Sequence, residues 1–531
     1  MRCKRAALLL LWGLAGCTTK PEAGPVNPRL ALQRFDNQGV ETDGWVGAAL
    51  GLVMGAQLRE DQPLAAKLVE DQQGVRMLGA GRTLTGDYRR KGDGFELRAY
   101  LIDTQSTKVL AEGVYRMSEG DLVEKTAVVL RELLGAKPVE IEANSRDWVE
   151  LGKAWSAGSA EALERFVVAH PGLGAAYPLL VRQWLAAGRR AEAQAVAARL
   201  PGTIDALSRA EVAVLTAADG PGRLAALRQM NGLRPADPQL AGELAQMAES
   251  LKEWAVAAES LGRLTRLDAG NVDWWNRLGY AEAHQGKRKE AVAAIEQYRK
   301  LAPGDANALD SLGEVNYMNR NFAEAARLFD EQVARFPAFQ NLAGMRKAAF
   351  AYANAGNRKQ ADTRFGDWMG RVLAGAPPSA AAWSRALWLA RTGRDEEALR
   401  LLAKEREGSV GDRRALAMLH EAALRFGLRG ERPGVEDWKR WEKELSQGPG
   451  RNQFVIFALL AQEQPLERKR QQILNATALP QLAELRRQLL EALEALEGPP
   501  ADLKRGVFPL PSAEDGILEA LLFRKRPLVI R

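Results

Sequence analysis

The chain has 531 residues, of which 46% are hydrophobic and 27% charged, the composition of an ordinary folded protein. Its formal net charge of +7 is small and dispersed, and Arg2, Lys4 and Arg5 supply three of those positive charges at the start of the chain, so nothing argues for a nucleic-acid partner. With two cysteines there is no disulfide framework, and this length calls for several domains or an elongated repeat array.

The amino terminus has the three parts of a secretory signal: basic Arg2, Lys4 and Arg5, an apolar run from Ala6 to Leu14, then small residues. The run is too short for a good membrane span, and no later segment supplies the 18 or so apolar residues one needs. Leu14, Ala15 and Gly16 stand directly before Cys17 and resemble the lipobox of bacterial lipoproteins. The resemblance implies a signal peptide over 1–16 and a diacylglyceryl group on the Cys17 sulfur, which becomes the first residue after cleavage. An ordinary cleaved signal with a chance cysteine is the competing reading. Cleavage discards Cys3, so no disulfide can form within the remaining chain.

Residues 17–27 read as a lipidated tether rich in Pro and Gly with no apolar pattern. Thr18, rather than Asp, follows the cysteine. By analogy with lipoproteins of Gram-negative bacteria this favours an exported protein held at the periplasmic face of the outer membrane. The covalent lipid, palmitate among its acyl chains, is the only non-protein group expected, and no cofactor or metal is anticipated.

Residues 28–136 read as a small α/β domain. "RLALQRFDN" (29–37) alternates like a strand, "GWVGAALGLVMGAQLRE" (44–60) like a helix and "AAKLVED" (65–71) like another short strand. Two extended segments flank the turn Lys91-Gly92-Asp93-Gly94, a third follows, and "SEGDLVEKTAVVLRELLG" closes the domain as a capped amphipathic helix. The order, with Phe35, Asp36 and Asn37 ending the first strand and "LTGDYRRKGDGFELRAYLIDT" at 84–104, resembles the amino-terminal domain of TolB-like proteins. That resemblance implies no catalytic residues, and the second helix of the pattern looks shortened between Glu70 and Gly81. Gly47, Gly51 and Gly55 recur every fourth residue of the first helix. Helix association in a membrane and close packing on a sheet both use such a stripe, and the short apolar run favours packing.

From 146 to 446 the chain repeats. Gly279 and Gly313 lie 34 residues apart, as do Ala257, Ala291 and Ala325, and Pro303 and Pro337. A period of 34 with these residue types is the tetratricopeptide signature. The clearest unit, "VDWWNRLGYAEAHQGKRKEAVAAIEQYRKLAPGD" (272–305), carries Trp275, Leu278, Gly279, Gly286, Ala291 and Pro303 at the family's positions. Small residues let two antiparallel helices approach, bulky ones fill the space between units, and proline ends the second helix. About eight or nine units are expected, stacked as a mainly α, right-handed superhelix, because one unit cannot bury its own apolar face.

The first helix of each pair lines the concave groove in this family. Carried onto this sequence, the groove positions are Asp273, Asn276, Tyr280 and His284, then Asp310, Glu314 and Tyr317, then Arg346 and Phe350. Such a polar and aromatic lining suits a protein or peptide segment, although solvated helix faces would read the same way. Tyr280 and Ala343 occupy two places where some family members clamp a terminal carboxylate, so binding of free carboxyl-terminal peptides is not predicted.

After a break at "QGPGRN", residues 451–498 read as a helical cap with a leucine stripe from Leu482 to Leu496. The tail, 499–531, is broken by proline yet too apolar for a simple disordered end. Folding back along the array and serving as a ligand for something else are both open to it.

His170, His284 and His420 are scattered, and no nucleophile elbow, phosphate loop or dinucleotide fingerprint appears, so catalysis is not expected. The expectation is an envelope lipoprotein that binds protein partners, held at the membrane by its lipid, with neither nucleic acid nor a small-molecule substrate. The alternatives are a regulatory or assembly lipoprotein, such as an activator of a peptidoglycan synthase or a component of an outer-membrane complex, and, further off, an envelope glycan-acting enzyme.

Overall fold

The computed structural model describes residues 30–58, 66–69, 71–78, 80–141, 143–447, 449–498 and 516–523. The leader, Cys17 and most of the tail lie outside the described residues. The chain divides into two compact units, one ending at Trp274 and the other beginning at Trp275.

The first unit opens with β1 (Leu30–Gln33), β2 (Asp36–Asn37), α1 (Trp45–Gln57), β3 (Lys67–Val69), α2 (Gln72–Leu78), β4 (Arg82–Lys91), β5 (Gly94–Asp103), β6 (Val109–Met117) and α3 (Leu122–Leu134). The sheet order is β3-β1-β4-β5-β6 with β2 also on β4; β1 runs parallel to β3 and β4, and β4, β5 and β6 form an antiparallel meander. Lys91 pairs with Gly94, and Gly92 takes φ +65° at the first turn position, a conformation that matches the twist of the flanking strands.

The single strand expected over 29–37 is two strands. Leu32 pairs with Leu84 but Asp36 pairs with Asp87, a register slip of one residue. The slip turns Phe35 into the core, where it lies over Gly86; a Cβ there would stand 2.9 Å from the Phe35 ring.

The glycine stripe of α1 faces the sheet. A Cβ at Gly47 would come within 2.5 Å of the Phe35 carbonyl oxygen, and one at Gly51 within 2.5 Å of Leu68 Cδ1. On another face Ala49 meets Gly152 of the first repeat helix so closely that an added Cβ on Gly152 would stand 2.6 Å from Ala49 Cβ. Helix α1 is therefore packed on both sides, which is why it is apolar nearly all round.

Four helical hairpins complete this unit: α4 (Ser145–Ser156) with α5 (Ala160–Ala169), α6 (Ala176–Ala186) with α7 (Arg190–Ala198), α8 (Ala206–Thr216) with α9 (Gly220–Leu233), and α10 (Pro238–Ser250) with α11 (Trp254–Leu267). Asn144, Ser159, Asp205, Asp219 and Asp237 each accept a backbone N–H of the turn they open.

In the second unit the hairpins are α12 (Val272–His284), which begins just before the division, with α13 (Arg288–Leu301), then α14 (Ala306–Met318) with α15 (Phe322–Arg335), α16 (Ala343–Asn354) with α17 (Arg358–Val372), and α18 (Pro378–Arg391) with α19 (Asp395–Glu407). Next come α20 (Gly411–Arg429) with α21 (Val435–Glu444), α22 (Pro449–Ala461) with α23 (Leu466–Ala476), α24 (Ala483–Glu497) and a short α25 (Gly516–Leu521). The chain is thus mainly α, a tetratricopeptide α-solenoid preceded by a small α/β domain.

The 34-residue period has a direct packing cause. A Cβ on Gly279 would stand 2.4 Å from Ile295 Cδ1, and one on Gly313 would stand 2.5 Å from Phe329 Cε1. In both hairpins the second helix drops a large side chain, sixteen residues on, into a hollow that only glycine leaves. Ala257, Ala291 and Ala325 are completely buried at the matching contact on the second helix.

Candidate functional site

Successive first helices of the second unit present one connected strip of side chains. On α12, the Tyr280 hydroxyl donates to Glu314, and Ser311 Oγ of α14 stands 3.3 Å from the same phenol oxygen, placed to donate to it. Lys347 of α16 reaches back to the same place, 2.6 Å from Asp310 Oδ2 and 2.7 Å from Glu314 Oε1. Burial pushes the Asp310 carboxyl above its ordinary value even though Lys347 pulls it down, and burial likewise raises the Tyr280 phenol. One cation thus holds two carboxylates together, and the second Asp310 oxygen, Oδ1, is buried with no donor among the described residues.

Farther along, the strip becomes aromatic and basic. The Tyr317 hydroxyl accepts from Asn354 Nδ2 at 3.0 Å and lies against Phe322 in a T-shaped contact. Phe350 meets the edge of Trp388 with centroids 5.4 Å apart, and the Arg391 guanidinium lies over its face at 4.7 Å. Arg346 sits 5.4 Å from the Trp368 ring centre, and burial lowers its basicity. Arg391 is almost wholly buried and ion-paired with Glu519 of α25. Its basicity falls for want of solvent and because Arg346 is close by.

Of the nine positions predicted to line the groove, Tyr280, Asp310 and Glu314 meet in one network. Arg346 belongs to the aromatic end. Tyr317 and Phe350 differ from the expectation of an exposed lining: at 2% and 1% exposure they form the floor beneath it, packed among Phe322, Trp388 and their neighbours. Asn276 is half-buried, its side-chain carbonyl without a donor among the described residues. Asp273 and His284 are exposed at the two ends of α12. Sequence reasoning missed Lys347 and Arg391. For Lys347 a signal existed: it lies about one repeat length beyond both Asp310 and Glu314, the spacing that sets neighbouring first helices side by side.

The first unit holds a separate cleft of about 640 Å³ bounded by β3, α1 and the first helices α6, α8 and α10. Lys67 of β3 pairs with buried Asp237 at 3.2 Å, at the start of α10. Arg182 pairs with Glu211 at 2.5 Å on its wall. The first pair is anchored on a buried carboxylate and the second lies at the surface, and neither sets a nucleophile beside a base.

Among the described residues, no group of three His, Cys, Asp or Glu is placed to hold a metal ion, and no helix is long and apolar enough to cross a membrane. The histidines stand apart: His170 lies 2.9 Å from Glu150, His284 is on α12, and buried His420 shares a 2.6 Å hydrogen bond with Gln453.

No family model matches the sequence, and no curated protein does so either. Solved structures similar to the chain include MamA, at 20% identity over 29% of this chain and 82% of that one with a TM-score of 0.26. A tetratricopeptide repeat protein from Parabacteroides merdae aligns at 13% identity over 51% of this chain and 91% of that one, TM-score 0.29. The Naa15/Naa10 complex bound to HypK-THB aligns at 13% identity over 66% of each chain, TM-score 0.37.

Proposed function

We propose that this chain is a bacterial envelope lipoprotein, anchored through Cys17, that binds protein partners along the groove of its repeat array. The observation that carries the binding half is the network of Tyr280, Glu314 and Lys347 across three successive first helices, with Arg346 beside the Trp368 ring beyond it and Phe350 as the floor beneath. It combines fixed charges with aromatic faces on successive first helices, the mix that recognises a peptide segment. The anchoring half rests on the sequence of the leader and its lipobox-like residues. A TolB-like amino-terminal domain would then stand between the lipid and the array.

Anchoring confines the groove to a thin layer at the membrane and raises the effective concentration of any envelope partner. Function then lies in positioning, without a catalytic group. An activator of a peptidoglycan synthase, or an assembly factor for an outer-membrane complex, would work by the same geometry.

Crosslinking in intact cells, followed by purification and mass spectrometry of the wild type against Cys17→Ala, tests the reading. A specific envelope protein captured by the wild type and lost from the variant supports it. Absence of any specific partner from both refutes it.

A further inference from the structure

The last described segment, residues 516–523, packs against α20 above all and also against α22 and α18. These are the first helices of three successive hairpins, the same side of the hairpins that carries the strip described above. Four features make this a built seat. Ile517, Leu518, Leu521 and Phe523 are all buried, in the same core cluster as Trp383, Leu387 and Leu424. Glu519 forms an ion pair with Arg391, whose side chain is 6% exposed and lies over Phe350. Gly427, in the last turn of α20, lets the α25 backbone lie directly on it: a Cβ there would be 1.6 Å from the Ala520 carbonyl oxygen. At the start of the segment, Gly516 sits against the Trp383 indole, which is itself stacked on His420 at 4.1 Å.

Arg391 is the telling residue. A guanidinium buried this deeply is costly without a carboxylate, and its partner is 128 residues away in sequence. Gly427 is equally hard to explain from α20 alone, since its φ is not left-handed and the glycine that caps the helix is Gly430. Both residues make sense as parts of a seat for an incoming helix.

We infer that the face made by α18, α20 and α22 is a receptor for a short amphipathic helix carrying a carboxylate opposite Arg391, and that residues 516–523 occupy it as the chain's own ligand. The inference rests on the reading of the repeat groove as a peptide site and supplies its ligand chemistry. An outside partner would present two adjacent apolar residues, an acidic residue next, and a further apolar residue two positions on, as Ile517, Leu518, Glu519 and Leu521 do. It gains the seat by displacing the tail. Because the tail is tethered, its local concentration is on the order of millimolar, so a free helix of the same sequence competes poorly until the tail is released.

The test uses the full chain and a fluorescein-labelled peptide spanning residues 512–525, read by anisotropy. Ile517→Asp together with Leu521→Asp vacates the seat, and that variant is expected to bind the peptide roughly 100-fold more tightly than the wild type does. Adding Gly427→Ala or Arg391→Glu to the vacated chain is expected to abolish binding, and a peptide with Glu519→Arg is expected to restore it on Arg391→Glu. A vacated chain that binds no better than the wild type, or binding that survives Gly427→Ala, overturns the proposal.

A second measurement covers the case where the vacated chain misfolds. In full-length Gly427→Ala alone, hydrogen exchange should show residues 516–523 losing protection while α20 keeps or gains it. Unchanged protection of 516–523 refutes the proposal. Peptide binding without any partner captured in cells would leave the receptor standing and sink the scaffold reading, and the reverse result would do the opposite.

Discussion

Replacing Lys347 by methionine keeps most of the stem and removes the cation that hydrogen-bonds both Asp310 and Glu314. The Asp310 side chain is 5% exposed and that of Lys347 13%, and breaking a buried pair by removing one partner costs about 3–5 kcal/mol. A ceiling follows from proton chemistry. Asp310 can escape the penalty by becoming neutral, and taking up that proton costs about 1.4 kcal/mol per pH unit above its ordinary value of 3.8. That limits the loss to about 4 kcal/mol at pH 7 and about 2 kcal/mol at pH 5. Since the folded-state carboxyl titrates above the unfolded one, the variant should be most stable in acid and lose stability as pH rises. Repeat arrays unfold piecewise, so the local opening free energy of α14 and α16 from hydrogen exchange is the proper readout. Asp310→Asn combined with Lys347→Met should recover most of the loss and flatten the pH dependence. A loss under 1 kcal/mol at pH 7, or one that grows on acidification, would refute the account of a lysine holding a buried acidic pair.

Gly313→Val drives two methyl groups toward the Phe329 ring and is expected to destabilise the α14–α15 hairpin by about 1–3 kcal/mol, with Phe329→Ala in the same chain relieving part of it; exchange rates in α15 measure both. Burial holds His420 at about 4, below the ordinary 6.5. The unfolded chain therefore takes up the proton first, and the stability of the carboxy-terminal hairpins should be full above pH 6.5 and fall by about 3 kcal/mol toward pH 4. A Gln at position 420 should remove that slope in pH-dependent denaturation. Glu96 is held at about 2 by hydrogen bonds from Lys91 and Arg89, so protection of β4 and β5 should weaken as pH drops from 4.5 toward 2, and Glu96→Gln should show no such change.

The repeat register was legible because glycine and alanine mark where helices touch, and touching recurs every 34 residues. Gly279 and Gly313 show why: each is the hollow for one named side chain of the paired helix. The strand break before Phe35 shows in "RLALQRFDN" only as two consecutive polar residues, Gln33 and Arg34, which shift the apolar phase from Leu30 and Leu32 to Phe35, and the room that seats Phe35 is left by Gly86 on a partner strand 51 residues away. In the site, polarity suggested Tyr280, Asp310 and Glu314, whereas Tyr317 and Phe350 look identical in sequence whether they face a ligand or floor the groove. Arg391 was hidden for a different reason. Its meaning depends on Glu519, and nothing in local pattern ties a helix end to a residue 128 positions later.

The close approach of Ala49 to Gly152 has a consequence for how this chain could be cut or recombined. The sequence changes character at about residue 137, where a surgeon would separate the sheet from the repeats. Yet one apolar cluster runs without interruption from Leu30 on β1 through α1 and α4 to Val212 on α8. The join at 137–145 is therefore a boundary of covalent organisation and not of packing: the solenoid begins on a ready-made apolar wall, and a cut there would lay both sides of the shared core open to water.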